Sequence, residues 1–213
     1  MSRRLQSFFA ALIIATGLFA LPGVTLAKEA GDILVRLRMA SLAPDTSGTT
    51  REVGGAAEVN QDTVPELDFT YFFTDNIAAE LILATTRHRV SVLNSSSGNL
   101  DLGEVSLLPP VLTLQYHFTP KAKFSPYLGA GLSYVMFYDV DKGAGLTGVK
   151  YKDSLGYAFQ AGLDVAIDDR WSLNFDIKKI YVDTNITVNN GGINAPGVDL
   201  DPWVFSVGFG YRF

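Results

Sequence analysis

His88 and His117 are the only imidazoles in a chain of 213 residues that contains no cysteine. Thiol nucleophiles, Cys-ligated zinc, iron–sulfur clusters and disulfides are therefore excluded, and most triad or metal chemistry would have to run through one of these two histidines. His88, with Ser91 close by in sequence, is where a serine–histidine–acid lipid hydrolase would be sought. No nucleophile motif surrounds Ser91, and two isolated histidines among scattered carboxylates make neither a triad nor a metal site. The run Gly143-Ala144-Gly145-Leu146-Thr147-Gly148 fits the dinucleotide pattern G-x-G-x-x-G. It lacks the following helix whose N-terminus would hold a pyrophosphate. The expectation is a protein that is not an enzyme and takes no cofactor or metal. With 17 basic against 22 acidic side chains and a formal net charge of −5, nucleic acid is not an expected partner either.

The elements that position the remaining polar groups alternate with period two. In the last eleven residues Trp203, Phe205, Val207, Phe209, Tyr211 and Phe213 share one face, and Val204, Ser206, Gly208, Gly210 and Arg212 the other. Seven more runs behave alike: Ile33–Met39, Leu67–Phe73, Ala79–Leu83, Leu112–Phe118, Leu128–Tyr134, Leu155–Val165 and Trp171–Ile177. A soluble lipocalin-like barrel would turn its apolar faces inward around a ligand. Three features favour the inverted arrangement. The polar faces mix charges of both signs with Gly and Ala, as a narrow lumen requires. Aromatic residues gather at both strand ends, as at two bilayer interfaces. Connections alternate between short (Asp75-Asn76, Thr119–Phe124, Asp168–Arg170) and long (Leu42–Val64, Arg89–Leu107, Tyr138–Lys152, Thr184–Leu200). The fold class that follows is all-β, a closed eight-stranded antiparallel transmembrane β-barrel of the outer membrane, with both ends of the mature chain in the periplasm.

Residues 1–27 read as a secretory signal peptide. Arg3 and Arg4 precede an uncharged stretch from Leu5 to Ala27 that ends in Pro22-Gly23 and the small-residue site Thr25-Leu26-Ala27. The mature barrel is then 28–213, exported by general secretion to the outer membrane of a Gram-negative cell, where a cysteine-free chain is at home. The surroundings this implies are outer-membrane lipid and lipopolysaccharide.

Several stretches carry a resemblance to the outer-membrane protein W (OmpW) family. They are Phe69-Thr70-Tyr71 running into Thr74-Asp75-Asn76-Ile77, Glu80-Leu81 before Arg87-His88, and Leu108-Pro109-Pro110. Pro126-Tyr127-Leu128-Gly129-Ala130-Gly131, Lys152-Asp153-Ser154, Leu200-Asp201-Pro202-Trp203 and the terminal Tyr211-Arg212-Phe213 complete the set. The resemblance implies an eight-stranded barrel that passes small hydrophobic molecules through a narrow apolar lumen, with a sideways exit into the bilayer as one form of the path. It also implies, for some members, service as bacteriocin or phage receptors through their extracellular loops, which keeps open a non-conducting structural or receptor barrel. The Gly-, Ser- and Asn-rich tips Asn94–Asn99 and Asn189–Asn194 read as mobile rather than as preformed recognition surfaces.

Three groups of residues follow from the strand register. Leu34, Phe72, Ile82, Val135 and Ile180 are apolar exceptions on inward faces and form a candidate lumenal constriction for small hydrophobic solutes. Asp32, Arg36, Arg38, Glu66, Asp68, Glu80, Asp176 and Arg212 form a candidate inward charge network. Ionisable groups inside a membrane protein are costly unless paired, so these are expected to pair as a structural plug. Phe213, a terminal aromatic on an alternating strand, resembles the signal read by the barrel-assembly machinery.

Overall fold

The computed structural model describes residues 28–46, 54–96, 98–189 and 192–213; the expected signal peptide lies outside them. Fourteen strands are present among the described residues: β1 (Ile33–Ala43), β2 (Ala56–Val59), β3 (Asp62–Phe72), β4 (Ile77–Ala84), β5 (Thr86–Ser95), β6 (Gly98–Leu108), β7 (Val111–His117), β8 (Phe124–Lys142), β9 (Val149–Tyr151), β10 (Ser154–Ala166), β11 (Trp171–Tyr181), β12 (Asp183–Val188), β13 (Ile193–Asp199) and β14 (Trp203–Arg212).

Eight of them close a barrel. β1, β3, β4, β7, β8, β10, β11 and β14 pair antiparallel in that order, and β14 returns to β1 from Leu34↔Arg212 to Ala43↔Trp203. Each is one of the alternating runs of the sequence. Closure satisfies the backbone groups between neighbouring strands, which a bilayer requires because it offers no water to an open edge. The burial is inverted relative to a soluble protein. Leu37 and Leu155 are each 63% exposed on the outer face, whereas Arg36 and Glu80 are fully buried on the inner one. Aromatic pairs ring both ends, Trp171 with Tyr211 and Tyr116 with Phe118 below, Tyr157 with Tyr181 and Trp203 with Phe205 above.

Within the four long connections the described residues form further strands, which the sequence reading took as loops. β5 and β6 extend the barrel wall upward in one sheet with β2 and the top of β8, and β9, β12 and β13 form a second small sheet. Val90 and Val92 of the first sheet pack with Ile186, Val188 and Val198 of the second in a common apolar core above the barrel. At the tip between β5 and β6, Asn99 Oδ1 accepts from Asn94 N–H at 3.0 Å and Ser95 pairs with Gly98.

The lumen has room for large side chains because glycines face them. Gly162 sits directly across from Tyr127, and a Cβ there would lie 2.2 Å from the tyrosine ring. Gly162→Ala is accordingly expected to push the ring aside and cost about 1–3 kcal/mol, the usual cost of overpacking. Heat-modifiable migration of the refolded protein on gels checks this: the folded band should convert at a lower temperature than in the parent chain.

Candidate functional site

The inward faces stack in layers along the barrel axis. The lowest layer, beside the start of β1 and the end of β14, is apolar: Leu34, Phe72 and Ala78. Above it lies a dense ionic layer. Arg36 donates through Nε and Nη2 to both oxygens of Asp164 at 3.2 and 2.9 Å, and through Nη1 to Asp68 at 3.0 Å and Thr70 at 2.8 Å. Arg38 donates to Glu66 at 2.6 Å and to Asn174 at 3.1 Å, and its Nη2 lies 3.1 Å from Asp68 Oδ2. Glu80 lies between the two guanidinium groups and also accepts from Gln160 at 2.7 Å and Thr113 at 3.2 Å. On the far wall Asp176 accepts from Lys178, Tyr127 and Gln160 at 2.8, 2.8 and 2.9 Å.

The register explains who meets whom. Arg36 pairs with Asp68 and Arg38 with Glu66 across β1 and β3, while β14 offers Gly210 and Gly208 on the other side. Long cationic side chains thus leave one strand, meet carboxylates on the next and find no side chain on the third. Desolvating such ions costs several kcal/mol each, recovered only where charge-assisted hydrogen bonds are nearly complete.

Six of the expected network residues meet here: Arg36, Arg38, Glu66, Asp68, Glu80 and Asp176. Two do not. Asp32 and Arg212 pair with each other at 3.2 Å, part-exposed at the lower rim, outside the network. The reason is depth: alternation fixes which face a residue takes, but these two sit at strand ends. The structure adds Lys28, Asp164, Asn174, Gln160 and Lys178. Lys28 was invisible to alternation because it precedes the first strand. Its ammonium group enters the lumen from below, donating to Asp164 at 2.6 Å, Ser125 at 3.1 Å and His117 Nδ1 at 3.2 Å. His117 lies between the rings of Phe72 and Tyr127, tilted to both, with each centroid 4.9 Å away. It is a packed interior residue of the plug.

The five apolar exceptions do all face inward, but they are not one constriction. Leu34 and Phe72 lie below the ions; Ile82, Val135 and Ile180 lie above. That upper cluster includes Ala40, Val64, Val111, Ala158 and Val204, so every barrel strand contributes to an apolar ring. The lumen is therefore apolar above and below an ionic layer rather than from end to end. Above the ring opens an apolar cavity of about 60 Å³, roofed by the two upper sheets and lined by residues including Leu42, Val135, Phe137, Ile180, Val182 and Leu200. That is less than half the ~150 Å³ that takes up benzene in a rigid apolar core, so the mouth can admit a solute only by side-chain yielding and is no open tube.

His88 lines this cavity from β5 rather than from a transmembrane strand. Its Nδ1–H donates to Asn60 O at 2.8 Å, and burial pulls its pKa below the ordinary value. The ring is therefore neutral at pH 7. Ser91 stands on the opposite face of the strand from His88, so they form no nucleophile–base pair. Phe213, 72% exposed, closes the lower girdle, and its N–H donates to Ile33 O at 2.9 Å.

One further feature is local to the wall beside the cavity. β4 pairs with β7 up to Ile82↔Val111, and β5 pairs with β6 from Thr86↔Leu107, in the same register. Between them Leu83–Thr85 faces Leu108–Pro110 without ladder pairs, because Pro109 and Pro110 have no N–H to give.

A closed antiparallel barrel of eight strands, apolar outside and ionic within, is an integral outer-membrane barrel, with the short turns periplasmic and the upper sheets extracellular. The chain belongs to the OmpW family, whose model matches residues 29–213. It is 40% identical over 84% of its length to the uncharacterized outer-membrane protein y4mB of Sinorhizobium fredii, covering 79% of that protein. With outer membrane protein W of Escherichia coli it shares 38% identity over 96% of this chain and 97% of that one. The dibenzothiophene metabolism operon protein PahQ of Pseudomonas aeruginosa is 28% identical over 92% and 95% of the two chains. Among solved structures, OprG of Pseudomonas aeruginosa matches with a TM-score of 0.82 at 31% identity, covering 88% of this chain and 98% of OprG.

Asp164 neutralises two cations, so Asp164→Asn should leave Lys28 and Arg36 undercompensated and destabilise the barrel by about 3–5 kcal/mol. Asp32→Asn, at the wet rim, should change stability by no more than about 1 kcal/mol. Urea unfolding midpoints of the two refolded variants in lipid bilayers measure the contrast.

Proposed function

We propose that the protein admits small hydrophobic molecules across the outer leaflet of the outer membrane, taking them in at the extracellular mouth and releasing them sideways into the bilayer. The observation that carries this reading is the layering: an apolar mouth and ring stand directly on a plug of paired ions. An apolar solute that reaches the ring meets below it a layer in which the ions are already committed to one another. Displacing those bonds would cost more than any apolar contact returns. The wall beside the mouth is weaker. The stretch Leu83–Thr85 and Leu108–Pro110 lacks the ladder bonds that join β4 to β7 below it and β5 to β6 above it. It lies at the level of Tyr134, an outward aromatic whose N–H donates to Pro110 O at 3.0 Å, so a solute leaving there would meet the outer leaflet near its interface.

A lipopolysaccharide leaflet, crowded with sugar and charge, resists apolar solutes, and a route past it is useful even if it ends in the membrane. The likeness to PahQ, a protein named for a dibenzothiophene metabolism operon, supports an apolar and aromatic cargo.

Outer-membrane vesicles with a lipopolysaccharide outer leaflet provide the test, with N-phenyl-1-naphthylamine as a probe that brightens on reaching hydrocarbon. Uptake should be several-fold faster with the barrel than without it, should be lost in Val135→Arg at the apolar ring, and should survive Phe72→Ala beneath the plug. Uptake that depends on Phe72 and ignores Val135 would contradict the sideways route.

A further inference from the structure

The cavity at the mouth is apolar in area but carries three hydroxyl groups that its apolar neighbours cannot satisfy. Thr86 Oγ1, Ser133 Oγ and Tyr151 OH are all shielded from solvent, and none has a hydrogen-bond partner among the described residues. All three residues line this one cavity, and they reach it from different elements: Thr86 from β5, Ser133 from β8 and Tyr151 from β9. The ring of Tyr151 is held in place by stacking on Phe137, with centroids 5.3 Å apart and planes at 16°. Leaving a buried hydroxyl unpaired costs about 1–3 kcal/mol, and three such groups around a single space mark it as built for something other than hydrocarbon alone.

We infer that the mouth selects uncharged hydrophobic molecules that carry a hydroxyl or other hydrogen-bonding oxygen, such as a phenol or a small alcohol, over hydrocarbons of the same shape. The inference rests on the proposed hydrophobic uptake and names the cargo class. Each hydroxyl can both donate and accept. His88, whose Nδ1–H is spent on Asn60 O, presents Nε2 as an acceptor in its neutral form. The three hydroxyls expose almost no surface in the resting cavity, so it is as the side chains yield to a solute that its hydroxyl meets both kinds of partner, while its apolar body lies against Val135, Ile180 and Leu200. Charged ligands are disfavoured, because among the described residues no Lys, Arg, Asp or Glu lines the cavity to offset their desolvation.

The isosteric pair p-cresol and p-xylene, which differ by hydroxyl against methyl, tests this in the full mature chain embedded in nanodiscs. Binding is read as displacement of N-phenyl-1-naphthylamine at known free ligand concentration, corrected with empty nanodiscs. In the variant Thr86→Val/Ser133→Ala/Tyr151→Phe the preference for p-cresol over p-xylene should fall at least about tenfold, the scale of one well-made hydrogen bond, while p-xylene binding stays unchanged. The same variants, singly and together, should be no less heat-stable than the parent, since the hydroxyls hold nothing inside the protein. If both ligands bind and the preference is the same in parent and variant, the cargo class is wrong while the hydrophobic mouth stands. If neither ligand binds the parent, the mouth itself is not a hydrophobic site. A loss of stability in every single variant would show that the hydroxyls serve the fold, and would overturn the inference directly.

Discussion

Paired charge in a space that water cannot freely enter is the constraint on which this barrel depends. Four buried cations, Lys28, Arg36, Arg38 and Lys178, and five carboxylates, Glu66, Asp68, Glu80, Asp164 and Asp176, share one layer of the lumen. Each would be unaffordable alone. Their pairing dictates the register, because a slip of one residue on β1 would turn Arg36 and Arg38 into the lipid and Leu37 into the ions. It dictates composition as well: glycine faces the arginines from β14 and faces Tyr127 from β10. The same pairing denies the barrel an open aqueous pore.

Above that layer the protein changes character. An apolar ring drawn from every barrel strand supports two small sheets whose facing valines and isoleucines make a second core outside the membrane. The polar atoms that remain there are neutral. Burial keeps the His88 imidazole uncharged and pushes the Tyr151 phenol up, away from ionisation. The ionic layer acts as a floor, the upper sheets as a roof, and the proline-interrupted seam as the one stretch of adjoining wall where β4–β5 and β6–β7 face each other without ladder bonds. A hydrophobic path that ends in the bilayer needs all three.

The barrel itself was legible in the sequence because transmembrane strands alternate without compromise: one side must suit lipid and the other a crowded polar lumen. The eight alternating runs became the eight barrel strands. Face was readable, but depth was not. Leu34 and Val135 look alike in the pattern yet lie on opposite sides of the ion layer, and Asp32 and Arg212 look like network members yet stop at the rim. The upper strands were missed because β5 and β6 meet at an Asn-, Ser- and Gly-rich turn and β9 has only three residues. Their apolar faces meet a neighbouring sheet rather than lipid. Thr86, Ser133 and Tyr151 carried no signal at all, since what marks them is the lack of a partner, which only three-dimensional packing reveals.

The claim most exposed to test is that solutes leave through the seam beside Pro109 and Pro110. Thr85 and Leu108 face each other across it in the register shared by the flanking pairs, and the chain has no cysteine of its own. A Thr85→Cys/Leu108→Cys variant can therefore be locked by oxidation and released by reduction in lipopolysaccharide-bearing vesicles, with the bond verified by mass. The account predicts that uptake of N-phenyl-1-naphthylamine stops when the bridge forms, returns when it is reduced, and is indifferent to oxidant in either single variant. Undiminished uptake with the seam fully bridged would contradict it.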